Sequence, residues 1–255
     1  MTEFRWGDQQ LTHTMEYVKS DPRTGVALTV APDTFDHAVR HDSSRVFPAP
    51  STTAAVHGEM REALNCSIFY TDIAGFGDHR RNDEDRCVMR NALYRILRQA
   101  FEGSAVPWNA CRHHDRGDGT LSVAPPTVPT RSLVEPLLAL LAATLRGYNR
   151  QAGDPVRMRL RAALHVGPVL VDAYGQSGHA LIHAVRMLDA PVVRDALATT
   201  GADLAFIASG HVFHTVVRHI SGLVDPATFR EITFESKEST ITGWLHLAGV
   251  GPPSA

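Results

Sequence analysis

The sequence predicts an α+β domain with a ferredoxin-like βαββαβ core, extended at its C-terminal side by further strands and a helix. Three observations carry that expectation. The run Ser67-Ile68-Phe69-Tyr70 reads as a buried strand that breaks at Asp72 into the glycine-bearing stretch Ala74-Gly75-Phe76-Gly77, and apolar residues at helical spacing (Val88, Leu93, Ile96, Leu97) follow from about Asn82. Trp108–His113 and Thr120–Val123 flank the acidic turn Asp115-Arg116-Gly117-Asp118-Gly119, the pattern of a hairpin. A second helix, Arg131 to Asn149, with Leu133, Leu137, Leu140, Leu141 and Leu145 on one face, leads into the strand Arg159–Val166. Strand, helix, strand, strand, helix, strand is the ferredoxin-like order.

The remaining elements are justified in turn. Gly167–Val171 is expected to pair back on the strand before it, and helices are expected from Ala180 to Leu188 and from Ala190 to Leu197. Leu204–Ala208 reads as a strand, Gly210–His219 as a helix, and Phe229–Phe234 with Ile241–Leu247 as a last hairpin. Before the core, residues 1–60 form an extension without a functional reading. It is expected to hold a short strand at Gly25–Val30, a helix-like stretch from Thr34 to Arg40 and a Pro/Ser/Thr-rich linker at Phe47–Thr53. The domain itself is expected over 61–250.

Composition narrows the function class. With 255 residues, 44% apolar and 20% charged, the chain has the makeup of an ordinary soluble globular protein. A formal charge of −2 gives no electrostatic reason for a nucleic-acid or anionic-membrane partner. The longest apolar run, Val134 to Leu145, is interrupted by Glu135, Pro136 and Thr144 and is too short to span a bilayer. The first residues, with Glu3, Arg5 and Asp8, lack a signal-peptide core. Three cysteines (Cys66, Cys87, Cys111), odd in number and without metal spacing, read as reduced thiols of a cytoplasmic protein.

The chemistry rests on two carboxylates. An Asp at a strand end beside a Gly-rich turn can hold a divalent cation, with the turn's N–H groups and the helix N-terminus facing the anion that the cation neutralises. A hairpin with an acidic tip can bring a second carboxylate to it, and such a pair suits two magnesium ions on a nucleoside triphosphate. Taken singly, Asp72 reads equally as a helix cap and Asp118 as a turn residue.

Taken together, the two stretches resemble the class III nucleotidyl cyclase homology domain, whose first motif is Phe-x-Asp-Ile-x-Gly-Phe and whose second is a Gly-Asp hairpin. Arg161-Ala162-Ala163-Leu164-His165-Val166-Gly167-Pro168-Val169 is similar to that family's Arg-x-Gly-Ile-His-x-Gly-x-Val, and Ala184-Val185-Arg186-Met187-Leu188 to its Asn-x-Ala-x-Arg-Leu helix. Glu235-Ser236-Lys237-Glu238 lies where the family has a Lys-Gly-Lys turn. The likeness covers roughly residues 66 to 247.

The resemblance implies attack of a ribose 3′-hydroxyl on the α-phosphate, giving a 3′,5′-cyclic nucleotide and pyrophosphate with the help of two Mg²⁺ or Mn²⁺ ions. It implies Asp72, Asp118 and the Ile73 carbonyl as metal ligands and the turn Phe76-Gly77-Asp78 as a triphosphate cradle. Arg186 is implied as the catalytic arginine and Lys237 as a phosphate contact. It also implies a homodimer, because in the family the carboxylates come from one subunit and the asparagine and arginine from the other.

Departures are as informative. The family's ribose-orienting asparagine falls at Ile182, which cannot hydrogen-bond, and the base-selecting lysine falls at His114. The loop carrying the second base-selecting position is shortened to Gln176-Ser177-Gly178-His179. Neither adenine nor guanine recognition of the family's kind is therefore encoded. His114 and Arg116 are the candidate base-binding residues, Arg116 favouring a pyrimidine. Two functions follow: a cyclase of atypical base preference, to which retention of both carboxylates tilts the reading, and a pseudo-cyclase serving as a nucleotide-binding or dimerising module, favoured by the lost asparagine.

Overall fold

The computed structural model describes residues 63–237 and 239–249; the strand, helix and linker expected within 1–60 lie outside them. Eight strands form one mixed sheet with helices on both faces. The chain begins with β1 (Leu64–Ile73), α1 (Asp83–Gly103), β2 (Arg112–Asp115), β3 (Gly119–Ala124), α2 (Leu137–Asn149) and β4 (Leu160–Asp172). It continues with β5 (Gly175–Ser177), α3 (His179–Leu188), α4 (Pro191–Thr200), β6 (Leu204–Ser209), α5 (Gly210–Thr215), β7 (Arg230–Ser236) and β8 (Ser239–Ala248).

The sheet order is β2-β3-β1-β4-β6-β8-β7, with β5 paired to the end of β4. Its first four members run antiparallel in the order that a βαββαβ ferredoxin-like core requires. β6 then joins β4 in parallel, and the β7–β8 hairpin closes that edge.

The period-2 alternation of β1 divides the core. Phe69 and Ile73 pack with Leu93, Leu97 and Phe101 of α1, Leu141 and Leu145 of α2, and Val212 of α5. Cys66 and Ile68 face Ala180, Leu181 and Ala184 of α3. Further along the same layer, Met187, Val193 and Leu197 cover Ala163, Ala205 and Ile207. Asn82 caps α1 with a reciprocal pair: its side chain accepts from Asp85 N at 2.8 Å, and the Asp85 carboxylate accepts from Asn82 N at 3.0 Å.

Four expectations need correction. Residues 159–171 are not a hairpin: β4 runs unbroken from Leu160 to Asp172, and only β5 folds back on its end. Arg161, Ala163 and Val169 keep one alternation through Gly167-Pro168, so no turn is needed. The expected helix from Arg131 is a short 3₁₀ turn, Thr130–Leu133, and α2 starts only after Pro136, which has no N–H to continue a helix. The Gly210–His219 helix likewise ends at Thr215 and passes into a 3₁₀ turn at Val217–His219. Trp108–Ala110 is a 3₁₀ turn rather than strand. No helix among the described residues is long and apolar enough to cross a membrane.

Candidate functional site

Asp72 sits one residue before the end of β1, on the face covered by α3, and its register partners are Gly119 on one side and Arg161 on the other. The approach of β3 is unusually close. A Cβ on Gly119 would lie 2.0 Å from the Thr71 carbonyl oxygen and 2.7 Å from Asp72 Cα, so only glycine fits. That contact brings Asp118 beside Ile73, whose N–H donates to the Asp118 carbonyl at 2.9 Å. The two carboxylates picked out from sequence are thus on neighbouring strands at the same end of the sheet.

The Asp72 side chain is 5% exposed and held by Arg161, itself 12% exposed. Arg161 Nε donates to Oδ1 at 2.9 Å, and Nη2 donates to Oδ2, a bidentate fork. Arg161 Nη1 is buried and has no hydrogen-bond partner among the described residues. Burial holds the Asp72 carboxyl above the ordinary range, at about 6; Arg161 pulls it down, while Asp118 and Asp189 push it further up. Tyr70, two residues back on the same face, is raised by burial and by the same three carboxylates, with Arg116 opposing.

The Ile73 carbonyl accepts from Phe76 N at 3.3 Å, closing the turn after β1. Asp78 N donates to the Gly75 carbonyl at 3.1 Å, so two of the amides expected to cradle phosphate bond within the turn. Guanidinium groups surround this segment. Arg81 donates to the Gly75 carbonyl at 2.6 Å, and Arg86 donates to the Phe76 and Asp78 carbonyls at 3.2 Å each. Arg80 grips the Asp78 carboxylate and pulls its pKa well below the usual range.

The hairpin tip is anchored from outside. The Asp115 carboxylate accepts from Arg90 and from the Tyr94 hydroxyl, and its other oxygen accepts from Gly117 N at 2.7 Å. Burial works against these contacts, but the Gly117 N–H, Tyr94 and Arg90 together hold the Asp115 carboxyl below its ordinary value.

A cleft of about 450 Å³ lies along α3. Leu121, Leu181, Ile182 and Val185 supply apolar wall, and Arg116, Arg186 and Lys237 supply positive charge. Arg186 Nη1 donates to Ser239 Oγ at 3.2 Å, which ties α3 to the β7–β8 hairpin. Lys237, at the hairpin tip, has φ 53, a conformation that favours glycine, at the turn where the family has one. Ile182 is 50% exposed. The structure therefore gathers Arg116, Ile182, Arg186 and Lys237 around one cleft. Asp72, Asp118 and the Phe76–Asp78 turn do not line it, but Asp189, which does, acts on the Asp72 carboxyl together with Asp118.

His114 does not line the cleft. Its Nε2 donates to Gln176 Oε1 at 2.8 Å, and Gln176 does line it, with a buried Nε2 that has no partner among the described residues. Sequence reasoning missed Gln176 and the role of Arg161 as the partner of Asp72. The first follows only from the β4–β5 pairing. The second was accessible, because Arg161 and Asp72 both sit near strand ends and carry opposite charge, but it needed the register.

No family model matches the chain, and no curated protein matches it. Solved structures do. The guanylyl cyclase Cya2 is 16% identical and matches over 76% of this chain and 96% of its own, with a TM-score of 0.53. The adenylate/guanylate cyclase/hydrolase from Silicibacter pomeroyi is 18% identical over 72% and 97%, with a TM-score of 0.52. The non-canonical dimeric guanylyl cyclase domain of the RhoGC fusion protein from the aquatic fungus Blastocladiella emersonii is 17% identical over 74% and 98%, with a TM-score of 0.51. At such identities the likeness is one of fold, and the chain has the fold of the class III nucleotidyl cyclase catalytic domain in a strongly diverged sequence.

Proposed function

We propose that this chain is a pseudo-cyclase: a nucleoside-triphosphate-binding module on the cyclase fold, working as a two-fold homodimer, with weak or absent turnover. The observation that carries the reading is the commitment of both Asp72 carboxylate oxygens to Arg161. Hard oxygen donors suit Mg²⁺ or Mn²⁺, but here the leading donor already has a cation. As folded, Arg161 competes with any ion for Asp72, which leaves Asp118 and the Ile73 carbonyl as the other donors. The exposed, apolar Ile182 adds to this, since it offers nothing to orient a ribose.

What supports nucleotide binding is the cleft. Apolar wall suits a base, and Arg116, Arg186 and Lys237 suit a triphosphate, with the planar guanidinium of Arg186 matched to phosphate oxygens. A two-fold pairing is the arrangement that would set Arg186 of one protomer across from Asp72 of its partner.

A second reading, turnover to a 3′,5′-cyclic nucleotide, is favoured by the retention of Asp72 and Asp118 at adjacent strand ends. It requires Arg161 to release Asp72. Incubating the purified protein with each of the four NTPs and Mn²⁺ or Mg²⁺, with mass spectrometry of products and calorimetry of binding, decides between them. The module reading expects binding with at most trace cyclic product. Sustained turnover supports the second reading, and absence of any binding defeats both.

A further inference from the structure

Away from the cleft, α3 and β4 enclose a cluster of imidazoles. Alternation along β4 sets Ala163, His165 and Gly167 towards α3. Gly167 admits the helix, since a Cβ there would lie 2.7 Å from Ala180 Cβ and 3.3 Å from His165 Nε2. His183, about one turn beyond Ala180, is thereby brought onto His165. The two ring centroids are 4.5 Å apart, with 42° between the planes.

His165 Nδ1 is buried and has no hydrogen-bond partner among the described residues. Such a nitrogen is costly to bury until something occupies it. The ionisable groups that act on His165 are three more imidazoles: His183, His211 on α5, and His179. Arg186 acts on His183 from within α3. A pocket of about 360 Å³ reaches His165 between Val166, Gly167 and Pro168 of β4 and Gly178, His179 and Ala180 at the start of α3. The cleft lies on another side of the helix, because Ile182, which lines it, is turned about 100° from His183.

Imidazole nitrogens without a carboxylate suit Zn²⁺, Cu²⁺ or Ni²⁺, whereas Mg²⁺ and Ca²⁺ prefer oxygen. Rings this close can each turn one nitrogen to a common ion at about 2.0–2.1 Å. Three such ligand residues do not gather at one point among the described residues, so the protein supplies two and water completes the shell. We propose that His165 and His183 form a two-imidazole site for Zn²⁺ or a chemically similar transition-metal ion, which clamps α3 to β4. The site stands apart from the cleft and does not depend on whether a nucleotide binds there.

The test is calorimetric titration of the metal-stripped chain with Zn²⁺ at neutral pH. One site is expected to dominate, and His165→Ala and His183→Ala are each expected to weaken it about tenfold or more. His179 is the i,i+4 neighbour of His183, with ring centroids 6.4 Å apart, and His179→Ala is expected to leave the affinity unchanged. In the natural chain the imidazole NMR signals of His165 and His183 are expected to move before those of the other histidines, and Mg²⁺ is expected to move neither. That spectrum needs no substitution, so it decides the matter even where a variant fails to fold. Absence of Zn²⁺ binding overturns the proposal, as do equal affinities in the natural chain and either variant of the pair. Earlier movement of other histidine signals overturns it too. A loss in His179→Ala equal to that in His183→Ala puts the ion on the helical pair instead and likewise overturns it.

Discussion

Asp72 and Arg161 stand opposite each other in register across β1 and β4, and the guanidinium takes both carboxylate oxygens of a side chain that is nearly buried. Removing either partner leaves the other buried and uncompensated. The prediction is that Arg161→Ala or Asp72→Ala each lowers unfolding free energy by about 3–5 kcal/mol. The apolar double variant Asp72→Leu/Arg161→Met is expected to recover most of that loss. Urea denaturation measures all three, and a double variant as unstable as the sum of the singles would show that the pair is not coupled.

The helical C-terminus of α1 offers a prediction away from the site. Val106 N donates to the Phe101 carbonyl at 3.0 Å around Ala105, whose φ is 55, so an alanine occupies the left-handed position where glycine is preferred. Ala105→Gly is predicted to stabilise the fold by about 1 kcal/mol, read as a higher denaturation midpoint with an unchanged slope.

Much of this was legible in the residues. The alternation of β1, the Asn82 cap and the leucine face of α2 specify their elements locally, so the core order follows from pattern alone. Asp72 and Asp118 were singled out because each stands beside a glycine-bearing turn, and the register sets them at the same end of the sheet. The continuous β4 was misread because Gly167-Pro168 carries turn chemistry. Here the glycine instead admits α3, since a Cβ at Gly167 would lie 2.7 Å from Ala180 Cβ. His114 was named a candidate base-binding residue; it bonds Gln176, which lines the cleft, a relation between residues 62 positions apart that no local pattern encodes.

His165 supplies a pH dependence. Burial, then His183, His211 and His179, hold its pKa down to about 4, against 6.5 for a free imidazole. Between those values the unfolded chain takes up a proton that the folded chain does not. This contribution to stability is therefore full above about pH 6.5 and is lost as pH falls towards 4. Asp72, raised to about 6, acts in the opposite sense over the same window, so the prediction is differential: the melting temperature of the natural chain falls relative to that of His165→Asn as pH drops from 6.5 to 4, and parallel profiles would remove His165 from the account.

Assembly is predicted to be dimeric. Light scattering at micromolar concentration is expected to give twice the chain mass, and Arg186→Ala is expected to weaken nucleotide binding by about tenfold or more while leaving the dimer intact. A monomer at every concentration, with and without NTP, would remove the cross-subunit arrangement.

Ile182 is exposed enough to change freely, so Ile182→Asn is predicted to alter stability by no more than about 0.5 kcal/mol. If the missing amide is the main barrier, the same change raises cyclic product by about tenfold or more. No increase would locate the barrier at Arg161 and Asp72 instead, and mass spectrometry of the product distinguishes the two.

The crossing of Gly119 over Asp72 leaves no room for even one side-chain atom. The acidic end of the sheet is consequently gauged by backbone against backbone, with no rotamer in between to relax or drift. Shape and chemistry are uncoupled at this point. Substitutions can exchange the side chains around it one by one while the backbone frame keeps its dimensions.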